Sequence, residues 1–267
     1  MRIPTTMCHG ISVQKENQLT REHFDVLVHI ARELEFESID YDDLWAWRED
    51  EKQLPDRTIM FNFDHPVKSM RYEMHEVLDK YGYRGNLFVN TGPMNEMYSQ
   101  PLPPDDEREF ATWDELGELK DLGWHIGSHT VTHPNFSKLF NDDPTGDKLH
   151  AEFEECDATL KEKLDVDSKD FAFTGTSWSS AAEKQVMQRY RFSRLWIIGT
   201  MYQVDGEKMR YAELVGLDGE DEQDSGPPMT ARYITKESNP YRLPSMDLQE
   251  LIHAPEMFRK YLEAALD

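Results

Sequence analysis

The sequence predicts an α/β fold whose parallel strands close, wholly or in part, into a barrel. Short apolar runs alternate with helix-period segments from residue 5 to residue 198, the order that builds parallel sheets. The run Thr58–Phe63 is apolar at Ile59, Met60, Phe61 and Phe63, as a strand covered on both faces must be. Three histidines, His125, His129 and His133, fall four residues apart around a strand end, where such folds keep their chemistry.

The elements follow in order. Thr5–His9 reads as a first strand. A helix is expected over Arg21–Leu34, with Phe24, Leu27, Val28, Ala31 and Leu34 at helical spacing and Thr20 as N-cap. Phe36–Ile39 is a short strand, and Asp42-Asp43-Leu44-Trp45 starts a helical turn. After the strand Thr58–Phe63 comes a helix over Ser69–Tyr81, stopped by Gly82, then a strand over Asn86–Asn90. Thr91–Phe110, rich in Pro, Asn and acids, is a long loop suited to a lid or groove wall. Thr112-Trp113-Asp114-Glu115 is a capping box opening a helix to Leu122, with Gly123 as its stop. Trp124–Ser128 is the histidine strand. A helix over Gly146–Leu164 carries Leu149, Phe153, Cys156 and Leu160 on one stripe, which makes Cys156 a core residue. Strand Phe171–Thr174, helix Ser180–Tyr190 and strand Phe192–Ile198 complete the alternation. From Gly199 to Asn239 the pattern dissolves, and the acidic tract Asp218–Asp224 lacks the order of a calcium loop. A last helix spans Pro255–Leu266.

The 267 residues suffice for one large domain, expected to span 1–267. Fifty-two acidic against 29 basic residues give a net charge of −23, which repels phosphate backbones and anionic membranes and argues against nucleic acid as a partner. Two cysteines, Cys8 and Cys156, make no disulfide framework. No apolar run has the length of a signal peptide or a membrane span, so a cytoplasmic location is expected. Composition leaves the oligomeric state open.

His129 and His133 can converge on one cation if the backbone coils between them; the alternative is a pair of hydrogen-bonded surface histidines. Thr130, Val131 and Thr132, poor helix formers, and Pro134 argue against a helical His-Glu-x-x-His arrangement. His125 reads as structural, or as a support for the ligands. The other strand end, Asp64-His65-Pro66, adds a carboxylate and a third imidazole. Three neutral imidazoles would leave a divalent cation its full charge to acidify water, and the carboxylate would take the proton.

These motifs resemble the polysaccharide deacetylases of carbohydrate esterase family 4, the NodB-homology domain, over roughly Thr6–Trp196. Asn62-Phe63-Asp64-His65-Pro66 is similar to the first motif, Thr-Phe-Asp-Asp-Gly. His129, Thr130, His133 and Pro134 match the second, and Met7-Cys8-His9 resembles the family's opening Tyr-His strand. The resemblance implies a distorted (β/α)7–8 barrel, Asp64 as general base, and His65, His129 and His133 as metal ligands. His65 stands where the family has an aspartate, which shifts preference toward zinc, with nickel or cobalt as alternatives. Pro66 replaces a glycine, limiting the turn and removing a backbone donor.

The third motif survives only as Phe171-Ala172-Phe173-Thr174-Gly175-Thr176, without the arginine that orients the base. Gly175 is the oxyanion N–H that the resemblance implies, and Trp178 is either a sugar-stacking wall or a packed loop residue. Leu251-Ile252-His253 has the letters of the fifth motif, making His253 the implied general acid or else part of the last helix cap. The expected activity is metal-dependent removal of an N-acetyl or related acyl group from an amino sugar, oligosaccharide or glycan. The alternatives are an allantoinase-like amidase and a catalytically silent carbohydrate-binding homologue.

Overall fold

The computed structural model describes residues 1–11, 19–94, 110–223, 226–248, 251 and 253–267. The chain runs β1 (Ile3–Cys8), α1 (Arg21–Glu33), β2 (Glu37–Ser38), α2 (Tyr41–Arg48), β3 (Thr58–Asp64), α3 (Glu73–Lys80), β4 (Gly85–Val89) and α4 (Trp113–Asp121). It continues β5 (His125–Ser128), α5 (Phe136–Asp142), α6 (Asp147–Leu164), β6 (Asp170–Ala172), β7 (Ser177–Trp178), α7 (Ser180–Arg189) and β8 (Phe192–Ile197). Last come β9 (Met201–Val204), β10 (Glu207–Arg210), α8 (Tyr211–Leu214), β11 (Tyr233–Ile234), β12 (Leu243–Asp247) and α9 (Pro255–Glu263).

The strands β1, β12, β8, β6, β5, β4 and β3 are parallel neighbours, and the β1–β3 pairing closes them into a seven-stranded barrel. Alternation along each strand decides what faces in. On β3, Ile59, Phe61 and Phe63 join the core beneath the outer helices, while Met60 points into the barrel. Asn62 and Asp64 share the face of Met60. By the same period-two rule the lumen receives Phe88 of β4, Ala172 of β6, Phe192 of β8 and Leu243 of β12. His125 and Gly127 of β5 follow, with Ile126 outside. At Gly127 a Cβ would lie 2.5 Å from Phe88 Cε1 and 3.0 Å from Asp170 O, so this register of the barrel admits only glycine there.

Local chemistry explains the helices that position these strands. Thr20, Asp40, Thr112, Asn135 and Ser179 each cap a helix by accepting a backbone N–H, and Thr112 with Glu115 forms the expected capping box. The helix expected over Ser69–Tyr81 is broken: Lys68–Met70 is a 3-10 turn, and α3 begins only at Glu73. Ser69 Oγ there accepts Ile11 N–H (3.1 Å), tying the turn to the segment after β1.

Two segments correct the sequence reading. Within Gly199–Asn239 lies the β9–β10 hairpin, turned at Asp205-Gly206 with φ of 49° and 91°, a two-residue reversal that suits Asp-Gly. Leu243–Asp247 is a full barrel strand despite Pro244, with Ser245 and Met246 paired to Trp196 and Ile197 of β8. The loop expected over Thr91–Phe110 lies at 95–109 outside the described residues. No helix among the described residues is long and apolar enough to cross a membrane.

Behind β5, the outward Ser128 meets Cys156 Sγ of α6 (3.2 Å), and the Tyr190 hydroxyl donates to both Asp157 oxygens (2.9 Å each). Cys156 is wholly buried and free, as its place on the apolar stripe requires. Burial is the main reason the Asp157 carboxyl is pushed up to about 6 from an ordinary 3.8. A pKa raised by folding adds stability that is complete below about 3.8 and is lost as pH rises through about 6. Asp157→Asn removes that loss: its stability relative to the unmodified chain should climb between pH 4 and 6, by up to about 3 kcal/mol. Urea midpoints of the two proteins across that window measure it.

Candidate active site

The carboxyl ends of β3 and β5 bring the predicted residues together. His65, His129 and His133 each present one ring nitrogen, and the three lie within 4.8 Å of one another. The ring of His65 sits 5.4 Å from that of His129 and 4.8 Å from that of His133.

The backbone that carries these rings is unusual. His65, Thr130 and His133 adopt φ of 69°, 71° and 58°, a left-handed region that side chains beyond glycine rarely enter without support. Pro66 makes the first of these turns possible where the motif has a glycine: Val67 N–H donates to His65 O across it (2.9 Å), a three-residue reversal that suits the fixed proline φ.

Hydrogen bonds fix the tautomers. His65 Nδ1 donates to Asn90 Oδ1 (2.9 Å) and His129 Nδ1 donates to Ala172 O (2.8 Å), so each Nε2 keeps its lone pair for the centre. His129 Nε2 is fully buried and meets no hydrogen-bond partner among the described residues. Burial, with His133 and His65 alongside, holds the His129 imidazole well below the usual histidine range, and burial lowers His133 as well. Both are neutral at pH 7, as metal ligands must be. Asp64 Oδ2 lies 3.9 Å from His129 Nε2, a neutral ring with which it forms no ion pair. Three convergent imidazoles fit a divalent cation with nitrogen preference.

Asp64 is 2% exposed, and its Oδ1 is paired with the guanidinium of Arg194, which is 0% exposed. The third motif lacks its arginine, yet β8 supplies one across the barrel. Burial pushes Arg194 down to about 10, which leaves it charged at neutral pH, and its guanidinium lies over the Phe88 face at 4.8 Å. The alternation of β8 was the signal that could have found it, since Phe192, Arg194 and Trp196 share the inward face.

The sequence placed His9 at the end of the first strand without a part in the site; it lies one residue beyond β1. Its ring stacks on His65 (5.2 Å) and meets the edge of Trp196 (4.8 Å), whose Nε1 donates to the buried Asp247 (3.0 Å). His253 sits instead on an exposed turn, its ring edge-on to His23 of α1 at 5.8 Å. Ile252 lies outside the described residues. Gly175 has φ 56°, and its N–H donates to no acceptor among the described residues, while its carbonyl takes the Tyr202 hydroxyl (3.0 Å). Trp178 is not a groove wall: it is 5% exposed, bonded to Glu183 (3.0 Å) and covered by Arg242 at 4.7 Å. His125 faces the opposite end of the lumen, 3.2 Å from Asp170 Oδ2.

The sequence model described as polysaccharide deacetylase matches residues 51–192, more than half of the chain. Among solved structures, the chain is similar to Streptococcus pyogenes deacetylase PplD in complex with acetate, at 14% identity and TM-score 0.70, covering 100% of this chain and 99% of that one. It is also similar to IcaB from Ammonifex degensii (14%, TM-score 0.67, 100% and 97% covered) and to the BpsB deacetylase domain from Bordetella bronchiseptica (12%, 0.63, 92% and 96%). A comparison with curated proteins finds no match.

The Asp64–Arg194 pair generates a prediction. Arg194→Met strands a buried carboxylate, so it should destabilise the metal-free protein by about 3–5 kcal/mol. Adding Asp64→Asn should recover part of that loss. Denaturant unfolding of the two single variants and the double variant reads the coupling, and strictly additive losses would contradict it.

Proposed function

Because this chain belongs to the polysaccharide deacetylase family, a family of hydrolases, we propose that it removes an N-acetyl or related acyl group from an amino sugar, oligosaccharide or glycan, using a divalent metal. The observation that carries the metal is the convergence of His65, His129 and His133 with two tautomers set by Asn90 and Ala172. Zinc suits three imidazoles best, with nickel and cobalt close behind. When bound, such an ion supplies Lewis acidity toward a carbonyl oxygen and toward water.

The protein's own groups divide the remaining work. Arg194 pairs with Asp64 in a buried setting and fixes one of its oxygens, leaving the other to accept the proton of the attacking water. Gly175 offers an uncommitted N–H to the oxyanion. The departing amine needs a proton donor. His9 is the better placed of two histidines, because it stacks on a proposed ligand while His253 packs against α1. Coverage of the chain from β1 to β12 by one closed barrel supports a single catalytic unit.

Metal analysis of the purified protein and acetate release from short chitin oligomers test the reading. Bound metal is expected near one per chain. Asp64→Asn should cut acetate release about 100- to 10,000-fold while keeping the metal, and His65→Ala should lose the metal. His9→Gln should lower kcat about 100-fold or more, whereas His253→Gln should leave it near normal; the reverse pattern moves the acid to His253. A folded protein that takes up no metal and releases no acetate overturns the proposal.

A further inference from the structure

The loop that carries His129 and His133 is held from outside the barrel by one carboxylate. Glu152, on α6, accepts Val131 N–H through Oε2 at 2.9 Å and Thr132 N–H through the same oxygen at 2.8 Å. Its Oε1 takes the Thr132 hydroxyl. Two successive backbone N–H groups turned toward one anion form a small concave anion site. Here its occupant is a side chain of the same protein. No cationic side chain pairs with Glu152 among the described residues, so these donors are its protein partners.

The other backbone bonds of the loop are neutral, two from the segment after β4 and one within the loop. Thr91 N–H donates to Thr130 O (3.1 Å), Gly92 N–H to Val131 O (2.9 Å), and His133 N–H to Thr130 Oγ (3.1 Å). They leave Val131 N–H and Thr132 N–H to Glu152. These two residues lie between Thr130 and His133, the pair in left-handed conformation. Each such residue costs on the order of 1 kcal/mol or more and persists only where its surroundings over-determine it. Charge-assisted bonds at the two intervening N–H groups are the strongest constraint on that stretch.

We propose that Glu152 is a positioning residue that locks the 129–133 loop in the conformation that aims His133 at His65 and His129. It touches neither the imidazoles nor any reacting atom and acts through the loop. Its consequence for metal affinity rests on the metal reading given above; its hold on the loop does not.

Glu152→Gln keeps the shape and removes the charge: its carbonyl oxygen can still accept both N–H groups while its NH2 donates to the Thr132 hydroxyl, so the variant isolates the charge-assisted part of the hold. In the metal-free protein, hydrogen exchange of the 129–134 peptide should rise at least tenfold, with exchange in β3, β4 and the rest of α6 unchanged. Cobalt titration followed by visible absorption should show about 10- to 100-fold weaker binding, the loss typical when a group supporting a ligand is removed, and an altered ligand-field band. Glu152→Ala should do the same more severely, and Thr132→Val, which spares both N–H bonds, should lie close to the unmodified protein. Unchanged exchange in Glu152→Gln overturns the proposal, as does a uniform rise across α6 that marks general loosening. A chain that binds no cobalt while its loop still loosens in Glu152→Gln removes the metal reading and leaves the lock standing.

Discussion

A carboxylate and a guanidinium meet out of reach of solvent at the top of the barrel, and the rest of the site is arranged around them. Asp64 ends β3 and Arg194 lies in β8, so the pair spans the lumen rather than joining neighbours in a sheet. Separating two buried charges is costly, and their attraction in low dielectric offsets this only when the geometry is held. The closed ring of parallel strands holds it. With one oxygen of Asp64 committed to Arg194, its other oxygen faces the imidazole cluster at 3.9 Å from His129.

The imidazoles obey a different constraint. They are brought together by backbone turns that ordinary residues avoid, at His65, Thr130 and His133. Each turn has a local support: proline geometry after His65, and a threonine hydroxyl and an anchoring carboxylate around the 129–133 loop. Conformational strain and ligand convergence thus occur at the same residues, as expected where function overrides local preference.

The fold and the ligand cluster were legible because their signals are local. Strand and helix periods read directly, and Asp64-His65 and His129 to His133 are short motifs whose neighbours in sequence are their neighbours in space. Arg194, His9, Trp196 and Asp247 were hidden for the opposite reason. Asp64 and Arg194 stand 130 residues apart, and only barrel closure makes them partners. Trp178 stayed open between two readings because an aromatic in a loop motif looks the same whether it faces sugar or core, and burial decides for the core. The hairpin at Asp205-Gly206 had a readable turn signal, but the charged strands around it, Glu207–Arg210 especially, gave no apolar alternation. Pro244 disguised β12, since proline argues against an interior strand unless its missing donor is unneeded.

The way the ring closes bears on how it is made. β1 has β3 on one side, but its other edge is covered only by β11 at Ile3 and Pro4 and by β12 at Thr6 and Met7. Both covering strands follow β8 in sequence, at Tyr233–Ile234 and Leu243–Asp247, so during synthesis β1 waits with one row of amides and carbonyls bare until those residues have emerged. An unsheltered edge of that kind invites pairing with another chain. The cluster of imidazoles, complete in sequence by residue 133, is thus born into an open sheet rather than a finished cup.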